Sequence, residues 1–147
     1  MKRFVLLLVS FVLLCSLVGC GDTTEPPKEL TETATFEDFT LTLGEAERFT
    51  DNNGNEMLRV HAVYTNNGQD PYYAASCFAV RAFQNDVELD RYFSVDGEED
   101  NMAKEIRNGK SIDVFFFFPL GDDPEVEVLI GEPTADMKSI GKRVYSW

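Results

Sequence analysis

The stretch SIDVFFFFP at residues 111–119 decides the fold. Side chains of a strand alternate between its two faces, so the even-numbered residues from 112 to 118, all of them apolar, share one face. Pro119 ends the run because proline has no N–H to donate to a ladder of hydrogen bonds. The stretch predicts a strand whose even-numbered face lies in a hydrophobic core.

The same alternation recurs on both sides of this strand, and turn residues such as Asn66-Asn67-Gly68 separate the runs. No window shows a helical period. Seven or eight strands at this spacing are typical of a sandwich, so we expect an all-β domain over residues 36–147, with a less regular strand at 87–93 and a last one at 138–147. The residues expected to point inward are Phe39, Leu41 and Leu43; Leu58, Val60, Ala62 and Tyr64; Phe78, Val80 and Ala82; and Val126, Val128 and Ile130.

The odd-numbered face of the 111–119 strand carries Phe115 and Phe117, where water would be expected. By the same parity Phe83 points outward from its own strand. Either a loop or the C-terminal segment with Tyr145 and Trp147 covers these rings, or they form an exposed apolar patch, which marks interaction surfaces. Coverage is favoured because a bare aromatic surface promotes aggregation. The contact surface of Phe83, Phe115 and Phe117 is the alternative hypothesis.

The first 20 residues predict where the protein is located. Lys2 and Arg3 precede an apolar run that closes on Leu-Val-Gly-Cys at residues 17–20, which is the pattern of a secretory signal peptide over residues 1–19. The run is too short for a retained membrane span, which needs about 20 apolar residues. The closing motif resembles the lipobox of bacterial lipoproteins. That resemblance implies a thioether-linked diacylglycerol on Cys20 and a membrane-anchored protein on the extracytoplasmic face. An ordinary signal peptide with an incidental cysteine is the alternative.

Residues 20–35 are rich in Thr, Glu and Pro, with almost nothing to bury. We expect an extended, disordered spacer between the lipid and the domain. About 15 residues at about 3.3 Å each would hold the domain up to about 50 Å from the bilayer.

Charge excludes two classes of partner. Without residues 1–19, 11 basic residues remain against 26 acidic ones, a formal charge of −15. A field of this sign repels phosphate backbones and anionic headgroups, so we expect no nucleic-acid binding and no membrane docking beyond the lipid anchor.

Candidate nucleophiles and bases are scarce. Cys77 is the only thiol left once Cys15 is removed and Cys20 carries lipid, and His61 is the only histidine. The apolar neighbours of Cys77 predict a small buried side chain. His61 is expected to be a partly exposed strand residue, since it has no second histidine beside it for a metal site. We therefore expect no enzyme; a hydrolase with converging carboxylates is the least favoured alternative.

Two stretches raise the question of a bound cation. Asp51, Asn53 and Asn55 alternate as in a calcium loop, but the glycine and glutamate of an EF-hand are misplaced, so a turn is favoured. The loop at 96–100 packs four carboxylates into five residues and could hold calcium or a small solute, although charge runs are more often solvated. The candidate ligands of this alternative are Asp96, Glu98, Glu99 and Asp100. No other cofactor is expected.

Three segments carry a family resemblance: Tyr64 to Asn67, Ala82 to Leu89, and Glu105 to Ser111 followed by the phenylalanine strand. They are similar to the immunoglobulin-like domain of unknown function found in exported lipoproteins of Gram-positive bacteria. The likeness covers roughly residues 36–130. It implies a β-sandwich in the cell envelope and brings no catalytic residues.

Together these features predict a lipid-anchored immunoglobulin-like domain outside the cytoplasm. We expect a non-catalytic binding or interaction module for an unknown envelope protein or ligand. The alternative is a lipoprotein that binds a cation or small solute through the 96–100 loop.

Overall fold

The computed structural model describes residues 29–121 and 125–147 of the chain. Within them lie twelve strands and one 3-10 turn at Ala74–Ser76. The strands are β1 (Thr33–Phe36), β2 (Phe39–Thr50), β3 (Glu56–Asn66), β4 (Tyr72–Tyr73), β5 (Ala79–Gln84), β6 (Val87–Leu89), β7 (Ser94–Val95), β8 (Glu98–Glu99), β9 (Glu105–Ile106), β10 (Lys110–Pro119), β11 (Glu125–Gly131) and β12 (Ser139–Ser146).

Eight of these strands form two four-stranded sheets, in the orders β1-β2-β3-β10 and β12-β11-β5-β6. All pairings are antiparallel. The chain crosses between the sheets after β3, after β6 and after β10, as an immunoglobulin domain crosses after strands B, C′ and E. The predicted all-β, immunoglobulin-like sandwich is therefore confirmed; eight strands form its two main sheets, and the other four are two-residue strands in the connections.

The core lies between the two sheets and is built by alternation. In β3 the side chains of Leu58, Val60, Ala62 and Tyr64 are all fully buried, as the pattern predicted. β10 lies beside β3, with Phe116 opposite Val60. On the other sheet the inward residues Val126, Val128 and Ile130 of β11 are equally buried. The hydrophobic contact among these side chains is what stabilises the fold.

The chain enters the sandwich between the two sheets. The Thr31 carbonyl accepts a hydrogen bond from Lys142 N at 2.7 Å, and the Glu32 carbonyl accepts one from Leu43 N at 2.9 Å. Ala34 of β1 is buried in the core. The folded part therefore begins upstream of the predicted boundary at residue 36, because these backbone groups find partners on both sheets.

The segment at 90–100 differs from the expected strand and solvated loop. β6 ends at Leu89, and Tyr92 N donates to the Phe117 carbonyl at 2.9 Å along the free edge of β10. β7 and β8 then form a hairpin whose turn residues Asp96 and Gly97 both have positive φ, as a type I′ turn requires. Val95 of this hairpin packs against Met57 and Phe117 on the outer face of the first sheet.

No helix in residues 29–121 and 125–147 has the length and hydropathy needed to cross a bilayer.

Candidate functional site

The contact surface of Phe83, Phe115 and Phe117, the alternative hypothesis from the sequence, is not formed. Phe117 is fully buried under the β7–β8 hairpin, together with Met57 and Val95. The hypothesis that Phe117 contacts a partner is wrong, because the loop covers it. The C-terminal segment plays no part in this cover: Tyr145 lies in the main core, and Trp147 packs on the guanidinium of Arg48 at 5.0 Å.

Phe115 is half-buried beside Phe117, with its ring 5.6 Å from that of His61. Phe83 points outward from β5, on the opposite sheet, and the Arg81 guanidinium lies 5.1 Å from its ring. The outer faces of two packed sheets point in opposite directions. The three phenylalanines therefore do not share one surface.

The acidic loop is bound to the rest of the domain through different partners for its carboxylates. Asp96 accepts the backbone N–H of Asn52, and Glu98 pairs with Arg59 at 2.5 Å. Glu99 is exposed and pairs through its backbone with Ser94 in the hairpin.

Asp100 is buried, and its carboxylate accepts from Arg91 and from Met102 N. The structure thus does not bring the four carboxylates of the loop together. In the two described ranges, no group of three His, Cys, Asp or Glu residues is arranged to hold a metal ion.

Cys77 is buried, as predicted, and its Sγ lies 3.6 Å from the Tyr64 hydroxyl. Burial raises the pKa of the Cys77 thiol, the hydrogen bond with Tyr64 lowers it, and the negative charge of Glu37 raises it again. The thiolate, which is the nucleophilic form, is disfavoured.

His61 lies on the outer face of the first sheet, with its side chain 39% exposed. Its Nε2 is 2.7 Å from Oδ1 of Asp113, which stands two positions before Phe115. This is the partly exposed strand residue that the sequence predicted. Gly44, at a bulge of β2, faces His61 across the sheet. A side chain at this position would put its Cβ 2.8 Å from His61 Nδ1.

The candidate site is a cavity of about 500 Å³ at the end of the sandwich where β1 turns into β2, which we term the end cavity. The turn includes Glu37 at a positive φ of 52°, and Asn67 N donates to the Asp38 carbonyl at 2.9 Å. The lining residues are Phe36, Glu37, Asp38, Phe39, Gly68, Gln69, Asp70, Tyr72, Ser76 and Cys77.

Asn66 shapes one wall of the end cavity. Its side chain is fully buried at the end of β3, and its Oδ1 accepts from Gly68 N at 2.8 Å. Its Nδ2 donates to the carbonyls of Asp70 and Ile106, at 2.8 and 3.0 Å. One buried amide therefore satisfies three backbone groups and fixes the loop at 67–71.

A row of stacked aromatic rings runs from the core to the edge of the end cavity. The ring centroids of Tyr64 and Phe39 are 6.2 Å apart, those of Phe39 and Tyr72 5.2 Å, and those of Tyr72 and Tyr73 5.4 Å. Tyr64 is fully buried, whereas Tyr72 and Tyr73 are each 40% exposed. The row thus presents two large rings to solvent on a rigid support.

Sequence reasoning missed the end cavity. The sequence pattern marks Asn66 as a turn residue and does not show its buried role, and Tyr72 and Tyr73 lie in a segment too short for a period to appear. The available signal was the pair of adjacent tyrosines directly after Asp70-Pro71, since turns are built mainly from Gly, Pro, Asn, Asp and Ser.

Comparison with known proteins identifies the family of the chain. The chain belongs to the family of a domain of unknown function, DUF5067, whose model matches residues 21–130. No curated protein of similar sequence was found.

Two solved structures resemble the chain. A predicted lipoprotein from Staphylococcus aureus subsp. aureus NCTC 8325 aligns with a TM-score of 0.61 at 12% identity, covering 80% of this chain and 90% of that one. A predicted lipoprotein from Bacillus subtilis subsp. subtilis str. 168 aligns with a TM-score of 0.53 at 15% identity, over 81% of this chain but 39% of that longer one. At these identities the likeness extends to the fold alone.

Proposed function

We propose that the chain is a lipid-anchored, extracytoplasmic binding module without catalytic activity, and that its ligand occupies the end cavity. The anchor would be Cys20, which lies outside the described residues. Two observations support lipidation of Cys20: the Leu-Val-Gly-Cys motif at 17–20, and the description of both structural neighbours as predicted lipoproteins.

The aromatic row is the observation that favours binding at the end cavity. Exposed tyrosines held by stacking lose little conformational entropy when a ligand covers them, and they offer large apolar faces. A volume of about 500 Å³ lies in the range of small-molecule sites. The buried Cys77, whose thiolate is disfavoured, supports a role without covalent chemistry.

The anchor is tested by labelling. Cells that express the full chain are fed a labelled fatty acid, and the protein is recovered from the membrane fraction. We expect label on the unaltered chain and on Cys15→Ser, which changes only the signal peptide, but not on Cys20→Ser. Label that is absent from all three, or that persists in Cys20→Ser, contradicts the anchor.

Binding is tested by a thermal-shift screen of small molecules grouped as cations, anions and neutral compounds. We expect at least one group to raise the melting temperature of the full chain and to lose this effect with Tyr72→Leu. Phe93→Leu is the matched control, because Phe93 is also an exposed aromatic ring, 70% exposed, and lies outside the end cavity. No shift from any group contradicts the binding function.

A further inference from the structure

We infer that the ligand of the end cavity is a small organic cation, an ammonium group on a short apolar body. This inference rests on the proposed binding function and adds to it the chemical class of the ligand. Charge, ring geometry and the arrangement of the carboxylates each support it.

The end cavity carries negative charge without a matching positive one. Glu37, Asp38 and Asp70 line it, and none of its lining residues is Lys, Arg or His. Across the described ranges the ion pairs found use other carboxylates. Carboxylates gathered at a concave surface focus their field on its interior, which attracts cations and repels anions.

The rings supply the second feature that a cation needs. Phe36, Phe39 and Tyr72 all line the end cavity. Phe39 lies between Tyr64 and Tyr72 in the aromatic row, whereas Tyr72, although stacked between Phe39 and Tyr73, is 40% exposed. An aromatic ring attracts an ammonium group over its face through its quadrupole, by about 0.5–2 kcal/mol.

A metal ion fits less well than an organic cation. Calcium needs six to eight oxygen ligands that converge on one point. In residues 29–121 and 125–147 no three acidic, histidine or cysteine side chains converge in this way, at the end cavity or elsewhere. An ammonium group on an apolar body needs no such convergence, because rings and carboxylates share the contact with it.

The test compares choline with 3,3-dimethylbutan-1-ol, the neutral isostere in which carbon replaces nitrogen. Calorimetric titrations use the full chain in dodecyl maltoside micelles, which contain no choline group. We expect choline to bind about tenfold more tightly than the isostere, from cation–π attraction and the nearby carboxylates together. Added salt should weaken choline binding.

Variants locate the site. Asp70→Asn and Tyr72→Leu should each weaken choline binding by about threefold to tenfold, whereas Tyr72→Phe, which keeps the ring, should not. Asp86→Asn is the matched control: it removes a carboxylate from the β5–β6 turn, at the other end of the sandwich, where Asp86 has a positive φ of 60° that asparagine tolerates. Melting temperatures show whether each variant is folded.

Three results would overturn the inference while leaving the binding function intact. They are equal affinity for choline and the isostere, displacement of choline by calcium below millimolar concentration, and binding of hexalysine without binding of choline. The first would show that charge is not recognised, the second that a metal is preferred, and the third that a cationic peptide occupies the surface. Failure of the whole screen described above would instead remove the binding function itself.

Discussion

Asn52 donates its backbone N–H to both carboxylate oxygens of Asp96, at 3.2 and 3.1 Å, across 44 residues of sequence. This bond joins the β2–β3 turn to the β7–β8 hairpin. Arg59 of β3 and Glu98 add an ion pair between the first sheet and the hairpin. The hairpin is thereby held over the outer face of the first sheet, where it covers Phe117.

Phe117→Ala should therefore destabilise the domain as a core substitution does, by about 3–5 kcal/mol. Urea denaturation of the full chain measures the loss. Phe83→Ala is the matched control on the outer face of the other sheet, where the ring is only half-buried, and should cost at most about 1 kcal/mol. Equal losses for the two variants would mean that the hairpin does not cover Phe117.

The ion pair between Arg91 and Asp100 is the most buried one described, with side chains 19% and 10% exposed. Arg91 also lies 5.0 Å from the rings of Phe93 and Phe116. Asp100→Asn would leave the guanidinium without its counter-charge in this setting. We expect a loss of about 3 kcal/mol in the free energy of unfolding, the lower end for broken buried pairs.

Two further variants check this prediction. Glu88→Gln breaks the exposed pair with Arg81 and should cost less than about 1 kcal/mol. The double variant Arg91→Met with Asp100→Asn removes both charges and should recover much of the loss. If the double variant is as unstable as Asp100→Asn, the stranded charge is not the cause.

Asp51 should make stability depend on pH. Its carboxylate accepts from Asn55 Nδ2 at 2.9 Å, and from the backbone N–H groups of Asn55 and Asn53, which holds its pKa below the ordinary value. A folded pKa below the unfolded one means that the contribution is complete above the unfolded pKa, about 3.9, and is lost as the pH falls through the folded pKa.

Denaturation of the unaltered chain and of Asp51→Asn, from pH 7 down to pH 2, measures this effect. Asparagine keeps an acceptor but cannot titrate. The difference in unfolding free energy between the two proteins should be constant near neutral pH and shrink below about pH 4. A difference that stays constant throughout would show that Asp51 has the same pKa in the folded and unfolded states.

Cys77 should resist thiol reagents while the domain is folded, because burial both shields the thiol and raises its pKa. Labelling with an aromatic disulfide at pH 8 should be slow in buffer and fast in denaturant. Rapid labelling of the native chain would contradict the burial. The double variant Cys15→Ser with Cys20→Ser is the background for this measurement, since it leaves Cys77 as the one cysteine of the sequence.

Alternation along single strands was enough to predict the inner layer. Leu58, Val60 and Ala62 occupy the core because a period of two is a local property of the backbone. The same reasoning placed Phe117 on the outer face but could not show what covers that face. The cover depends on Val95, which returns to this face only after two crossings between the sheets.

The contacts of the acidic loop and the existence of the end cavity escape sequence reasoning for a related reason. A run of like charges predicts a solvated segment only if its partners are absent, and the partners of Asp96 and Glu98 lie 44 and 39 residues away in the sequence. The end cavity depends on the buried amide of Asn66, whose three backbone partners lie in the loop at 67–71 and in β9. Contacts of this kind follow from topology and leave no periodic trace.

The entry of the chain at Thr31 and Glu32 has a mechanical consequence. A pull transmitted along the expected spacer would reach two hydrogen bonds, one to Lys142 on one sheet and one to Leu43 on the other. Traction on the proposed anchor at Cys20 would therefore be shared by both sheets.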